Sequence, residues 1–128
     1  MEILIKRLNE NVKLPVYGRE AGPGIDIYSD KDVVIEPGAV QVLSTGVVIA
    51  MPVGYVGLIS GPHSMVINDT KRVTPAVLDS GYREEIKIEI TNTDAVPYTY
   101  TAGEKIAQLL VHQISRSNLI EAEDLDGV

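Results

Sequence analysis

The chain of 128 residues contains no cysteine, no tryptophan and no phenylalanine. Without cysteine there is no disulfide scaffold, no Cys-ligated zinc, no iron–sulfur cluster and no thiol nucleophile. That absence fits a reducing compartment. Six tyrosines are the whole aromatic complement, a poor platform for stacking the bases of a single strand. Basic residues are also scarce: eleven Lys and Arg against eighteen Asp and Glu leave a net charge of −7, with no basic block. Polymeric nucleic acid and anionic membrane surfaces are therefore not expected partners. The longest apolar runs fall well short of the about 18 residues that cross a bilayer. Met1 to Glu10 carries charge every few residues and lacks the apolar stretch of a secretion signal. The expected location is the cytoplasm.

What the chain does contain reads as one globular domain. Hydrophobic residues are 45% and charged residues 23%, close to the average for packed proteins. Glycine and proline punctuate it at Gly22-Pro23-Gly24, Pro37-Gly38, Gly46, Pro52 to Gly54, Gly61-Pro62, Pro75, Gly81, Pro97 and Gly103. The segments between are mostly too short for three helical turns, and their Val, Ile, Thr and Tyr suit pleated strands. Glu85 to Thr91 is the clearest case, with Ile86, Ile88 and Ile90 on one face and Lys87, Glu89 and Thr91 on the other. Val40 to Ala50 reads as two strands broken near Thr45-Gly46, and Tyr98 to Thr101 and Lys105 to Ile114 as two more. Glu36-Pro37-Gly38 and Ala102-Gly103-Glu104 look like strand-to-strand corners, and only Met65 to Thr70 offers a short helical turn. Short strands with frequent turns point to an antiparallel sandwich or barrel. We expect the barrel over residues 1–115. Residues 116–128 are expected to form an acidic tail, either exposed or lent as a strand to a neighbour.

Few residues are candidates for chemistry. Asp79 follows an apolar run and precedes a turn. There a carboxylate can be held rigid and partly desolvated, as a general base for water requires. The plain alternative is a hairpin turn at Asp79-Ser80-Gly81, the commoner outcome for such residues. Gly61-Pro62-His63-Ser64 follows an apolar segment, and a hydroxyl and free N–H groups at a sharp turn can take phosphate oxygens. His63 and His112 have no metal-ligand partner at short spacing. No HExxH, Gx4GK[ST] or GxSxG occurs, so zinc-protease, P-loop and hydrolase-elbow chemistries lack support. Asp26, between Ile25 and Ile27, faces away from both in a strand. It is either solvent-facing, or turned inward to hold an Arg or a hydrated metal. An anionic substrate needs local positive charge or a metal on so acidic a chain, and Lys71, Arg72 and Arg83 are the cations nearest these loops.

Taken together and in order, these segments resemble the trimeric deoxyuridine triphosphatase (dUTP pyrophosphatase) family. Leu14-Pro15-Val16-Tyr17 and Ala21-Gly22-Pro23-Gly24-Ile25-Asp26-Ile27-Tyr28-Ser29 are similar to its leading segment and first motif. Gly61-Pro62-His63-Ser64 is similar to the second motif, Val77-Leu78-Asp79-Ser80-Gly81-Tyr82-Arg83 to the third, and Gly103-Glu104-Lys105-Ile106-Ala107-Gln108-Leu109 to the fourth. Four motifs in order carry far more weight than any one. The resemblance implies an all-β, antiparallel β-barrel of jelly-roll type, a homotrimer with sites at subunit contacts, and hydrolysis of dUTP to dUMP and pyrophosphate with Mg2+.

Carried over by position, Asp79 is the base for the attacking water and Tyr82 packs on the deoxyribose. Backbone groups of Val77, Leu78 and the strand near Lys87 read uracil. Ser64, with His63 and Met65, holds the phosphate chain, Gln108 fixes the α-phosphate, and Asp26 supports the phosphate–magnesium network indirectly. No direct protein ligand to the metal is implied. The sequence departs from the family pattern at His63 (usually Arg), Met65 (usually Gly or Ser), Ala76 and Glu84 (both usually Gly). The glycine-rich fifth motif, an arm that closes over the nucleotide, has no counterpart in these 128 residues. Histidine cannot make the bidentate fork of arginine. An alternative reading is therefore a weak or inactive dUTPase-like trimer that binds nucleotide and regulates. The related dCTP deaminase branch ranks lowest, since no motif places a Glu on the base.

Overall fold

On the strand Lys87–Asn92, Ile88, Ile90 and Asn92 are buried while Lys87 and Glu89 face water. This is the two-residue period of a strand with one wet face. The same period organises the rest of the computed structural model, which describes residues 1–62 and 69–127. The strands are β1 (Leu4–Arg7), β2 (Val16–Tyr17), β3 (Ile25–Tyr28), β4 (Val33–Ile35), β5 (Val40–Ser44), β6 (Val47–Ala50), β7 (Tyr55–Ser60), β8 (Lys71–Val73), β9 (Ala76–Leu78), β10 (Lys87–Asn92), β11 (Tyr98–Tyr100) and β12 (Lys105–Gln113). Among the described residues there is no helix, and hence none long and apolar enough to cross a membrane.

The pairing is antiparallel throughout and nested. Tyr28 of β3 faces Lys105 of β12, Ile35 of β4 faces Tyr98 of β11, and Val40 and Ser44 of β5 face Thr91 and Lys87 of β10. One half of the chain thus runs back along the other as a long ribbon, bent at its corners. Rolling such a ribbon produces the jelly-roll barrel. The corners at Glu36-Pro37-Gly38 and Ala102-Gly103-Glu104 form as the sequence suggests. Ala39 N–H donates to the Glu36 carbonyl and Glu104 N–H to that of Thr101, both at 3.0 Å. Gly38 and Gly103 sit at φ +76° and +87°, where a Cβ would crowd the backbone.

The core is mostly aliphatic, as befits a chain without Phe or Trp, with Tyr100 the one aromatic residue in the buried cluster of the described residues. Ile27, Ile35, Leu43, Ile49, Ile88, Ile90, Ile106 and Leu109 are essentially inaccessible to water, each worth about 1.5–3 kcal/mol of burial. Asn92 is also fully buried. Its amide donates to the carbonyls of Ile35 and Val96, both at 2.9 Å, and its oxygen accepts Asp94 N–H at 3.0 Å. A buried amide so satisfied ties β10 to β4 at little net cost.

The structure differs from the sequence reading at several boundaries. The strand expected over Tyr98 to Thr101 stops at Tyr100, and that over Lys105 to Ile114 stops at Gln113. Its core-facing part ends near Val111, and His112 and Gln113 are exposed. The helical turn expected over Met65 to Thr70 lies mostly outside the described residues; Asp69 and Thr70 are not helical. Residues 114–127 carry no strand, and Leu119, Ile120 and Leu125 are 92%, 80% and 83% exposed.

Candidate active site

β2, β3, β12, β7 and β9 form one five-stranded sheet in that order. Across it, Asp26 of β3 stands opposite Gln108 of β12, and Gln108 stands opposite Ser60 of β7. Residues of the first and fourth motifs thus share a row with the last residue of β7, just before Gly61-Pro62-His63-Ser64. His63, Ser64 and Met65 lie outside the described residues.

A bulge in β12 brings this row together. Lys105 faces Tyr28, and the register then slips so that Ala107 faces Ile27. Ile106 and Ala107 are both buried, two neighbours turned to the same side, as a bulge allows. Strict alternation would put Lys105 and Gln108 on opposite faces; the extra residue puts both on the face of Asp26. Lys105 Nζ lies 3.0 Å from Asp26 Oδ1, with the two side chains 32% and 15% exposed. Gln108 Nε2 donates to Ser60 Oγ at 3.4 Å. Tyr28 shares this neighbourhood: burial first, and then the Asp26 carboxylate, raises its hydroxyl pKa. Lys13 Nζ stands 4.1 Å from the centre of its ring.

Two glycines leave room for the row. A Cβ at Gly18 would come within 2.5 Å of Asp26 Oδ1, and one at Gly24 within 2.6 Å of Gln108 Oε1. Gly18 N–H donates to the Gly24 carbonyl at 3.2 Å, closing the turn between β2 and β3 over both side chains. Lys105, Ser60, Gly18 and Gly24 were not singled out as site residues by sequence reasoning. The signal for Lys105 was present: two apolar residues between Lys105 and Gln108, where alternation allows one.

Asp79 lies elsewhere, just past the end of β9, the edge strand of the same sheet. Leu78 of β9 is buried and faces Gly57 of β7, so Asp79 stands about 13 Å along the strand direction from the row at Ser60. Its side chain is exposed rather than partly desolvated in the single chain. The turn at Asp79-Ser80-Gly81, the plain alternative, does form, but the strands on either side of it do not pair as a hairpin. Tyr82 N–H does donate to the Asp79 carbonyl at 3.2 Å, but β9 pairs with β7 while β10 pairs with β5 and β8.

The reason lies at Pro75. Val73 faces Ile90, and Thr74 still bonds Glu89 through N–H at 2.9 Å and hydroxyl at 2.8 Å. Proline then removes a donor, and β9 leaves β10 for β7. Continued register would have put Ala76 opposite Lys87. Instead β9 has no partner but β7, and the Lys87 end of β10 none but β5, among the described residues. Val77, Leu78 and Lys87 therefore border unpaired strand edges.

The turn beyond Asp79 is braced by its own groups. Arg83 Nη1 donates to the carbonyls of Ser80 and Tyr82 at 2.6 and 2.9 Å, and the Tyr82 hydroxyl to that of Glu85 at 3.1 Å. The Tyr82 side chain remains accessible, at 40% exposure for the residue. Arg83 is thus engaged locally, and Lys71 pairs with Asp94 at 3.4 Å. The cation beside Asp26 is Lys105, not Lys71, Arg72 or Arg83. Asp94 has its pKa lowered, first by the Ala95 N–H and then by Lys71.

Comparison with known proteins identifies the family and the fold. The sequence model of the dUTPase family matches residues 10–127. The deoxyuridine 5′-triphosphate nucleotidohydrolase of Mycobacterium marinum is 37% identical over 128 residues, covering 97% of this chain and 82% of the relative. A Gly-to-Ser variant of the Staphylococcus bacteriophage 80alpha dUTPase, solved with dUpNHpp, superposes with a TM-score of 0.90 at 25% identity, over 99% of this chain and 91% of that one. An Asp-to-Asn variant of the dUTPase from phage phi11 of S. aureus, whose structure is described as revealing how a structural Mg(II) ion is coordinated, gives a TM-score of 0.87 at 25% identity, over 98% and 99%. With the family model spanning nearly all of it and the barrel shared, this chain belongs to the dUTPase family.

Proposed function

We propose that the chain hydrolyses dUTP to dUMP and pyrophosphate with magnesium, in sites completed by neighbouring copies of a homotrimer. The observation that carries this reading is the row of Asp26, Gln108 and Ser60, held by the β12 bulge in a chain of the dUTPase family. The Gln108 amide is a neutral hydrogen-bonding group suited to an α-phosphate oxygen. Ser64, with His63 and Met65, carries the rest of the phosphate chain in this reading, the role implied by the second motif.

Asp79, exposed at the end of β9, is free to orient and deprotonate a water. Tyr82 offers its ring to the deoxyribose, leaving no space for a 2′-hydroxyl. Uracil presents alternating donors and acceptors, and in this reading they meet backbone groups at the strand edges near Val77, Leu78 and Lys87. Polar pairing of this kind discriminates strongly, because a wrong base leaves buried groups unpaired.

The donor set fits a magnesium ion carried by the substrate. Asp26 is already paired to Lys105, and Gln108 and Ser60 are neutral groups that suit phosphate oxygens. Magnesium keeps several waters and binds chiefly through phosphates in such sites. When bound, it draws charge from the phosphate oxygens; the chain's own residues position the nucleotide and the water.

The trimer is supported by uncovered surface. Among the described residues β1 pairs only with β6, and Leu4, Ile5 and Leu8 border an open groove of about 510 Å³. Leu119, Ile120 and Leu125 of the tail lie bare. Exchange of tails between copies covers both. In this arrangement residues 1–115 are the barrel and 116–128 the exchanged segment. A nucleotide panel (dUTP, dTTP, dCTP, UTP) with pyrophosphate detection tests the reaction. Release is expected from dUTP above the others, and Asp79→Asn lowers it about 10²–10⁴-fold. Equal release by both proteins overturns the assignment.

A further inference from the structure

Lys105 sits where no role has been assigned to it. Its strand partner is Tyr28, yet its ammonium group reaches along the face to Asp26, 3.0 Å away. Asp26 is seated from the other side by the bare Cα of Gly18. An acid so enclosed, 15% exposed, would repel an incoming polyphosphate if left uncompensated in low dielectric. The bulge that turns Gln108 to this face is the same one that leaves Lys105 there, so cation and amide arrive as one unit.

We propose that Lys105 is a positioning residue of the nucleotide site: it holds the Asp26 carboxylate in the row with Gln108 and Ser60 and cancels its charge, so that the row accepts phosphate oxygens. This rests on the dUTPase reading above. Lys105 acts through Asp26 and not on substrate, because its ammonium group is already committed to that carboxylate.

The test is a double-mutant cycle in kcat and KM for dUTP, read by pyrophosphate release, with Lys105→Met, Asp26→Asn and the pair combined. Lys105→Met leaves a lone enclosed carboxylate. It is expected to raise KM about ten-fold or more, since the unbalanced charge opposes binding, with a smaller change in kcat. In the Asp26→Asn background the same change is expected to cost less than about two-fold, because no charge remains to balance. Lys105→Arg is expected to keep KM within about three-fold. If Lys105→Met fails to fold, the neutral double variant serves alone: kcat/KM equal to that of Asp26→Asn supports the proposal. A further ten-fold loss in that background overturns it, for Lys105 would then touch substrate directly. A KM for Lys105→Met within two-fold of the parent overturns it as well. Absence of dUTP hydrolysis by the unaltered protein would instead reject the enzyme reading on which the proposal stands.

Discussion

A single methyl group at Gly24 is enough to displace the Gln108 amide from its row. At Gly24 an added Cβ would meet Gln108 Oε1 at 2.6 Å, the far end of a flexible side chain rather than backbone. The amide can swing away at small cost, so Gly24→Ala is expected to shift the denaturation midpoint by under about 1 kcal/mol of stability. The hydrogen bond from Gln108 to Ser60, at 3.4 Å, cannot survive that swing. Activity on dUTP is therefore expected to fall about 10–100-fold, as misplacement near reacting atoms commonly costs. Parallel urea titration and pyrophosphate release check the two halves. A loss of stability matching the loss of activity would mean that Gly24 serves packing and not the row.

At the level of elements, β11 couples fold stability to pH. Tyr98 and Tyr100 meet edge to face with centroids 4.6 Å apart. Both hydroxyl pKa values are raised, that of Tyr98 first by its bond to Glu104 and that of Tyr100 first by burial. A raised acid pKa means that the fold favours the protonated form. The associated stability is full below the unfolded tyrosine value of about 10 and is lost as pH rises through the folded values. The urea midpoint should therefore fall above about pH 10, and Tyr98→Phe should flatten that fall. An unchanged slope in the variant would show that Tyr98 is not the group responsible. Elements were also where the sequence was most and least readable. The Ile86, Ile88 and Ile90 alternation and the glycine corners at 38 and 103 were legible because burial and positive φ are local demands. The pairing of β9 with β7 instead of β10 was not, because it depends on which neighbour is available once Pro75 interrupts the ladder. Asp26, Gln108 and Asp79 could be picked out by motif, whereas the contact between Asp26 and Lys105 requires a bulge that alternation alone does not foresee.

Across the whole molecule, the decisive fact is that Gln108 and Asp79, the latter just past the end of β9, are well separated along one sheet. Gln108 faces Ser60 at one end of β7, while Leu78, the neighbour of Asp79, faces Gly57 three residues before it. In the function proposed above, a nucleotide held by Gln108 at its α-phosphate needs its water within hydrogen-bond reach of Asp79, about 3 Å, and one chain leaves roughly 13 Å to bridge. A second copy that brings its own Asp79 against this copy's Gln108 removes the gap. Complementation reads this directly. Asp79→Asn and Gln108→Ala are each expected to be nearly inactive alone. Unfolded together in equal amounts and refolded, they form mixed assemblies, and a contact that joins an intact Asp79 to an intact Gln108 arises in about a quarter of random pairings. Activity near one quarter of the parent is the expected result, with light scattering reporting the oligomer in the same sample. If each site drew both residues from one chain, every site would carry a lesion and mixing would restore nothing. Recovery therefore separates a shared site from a self-contained one without reference to substrate affinity or stability.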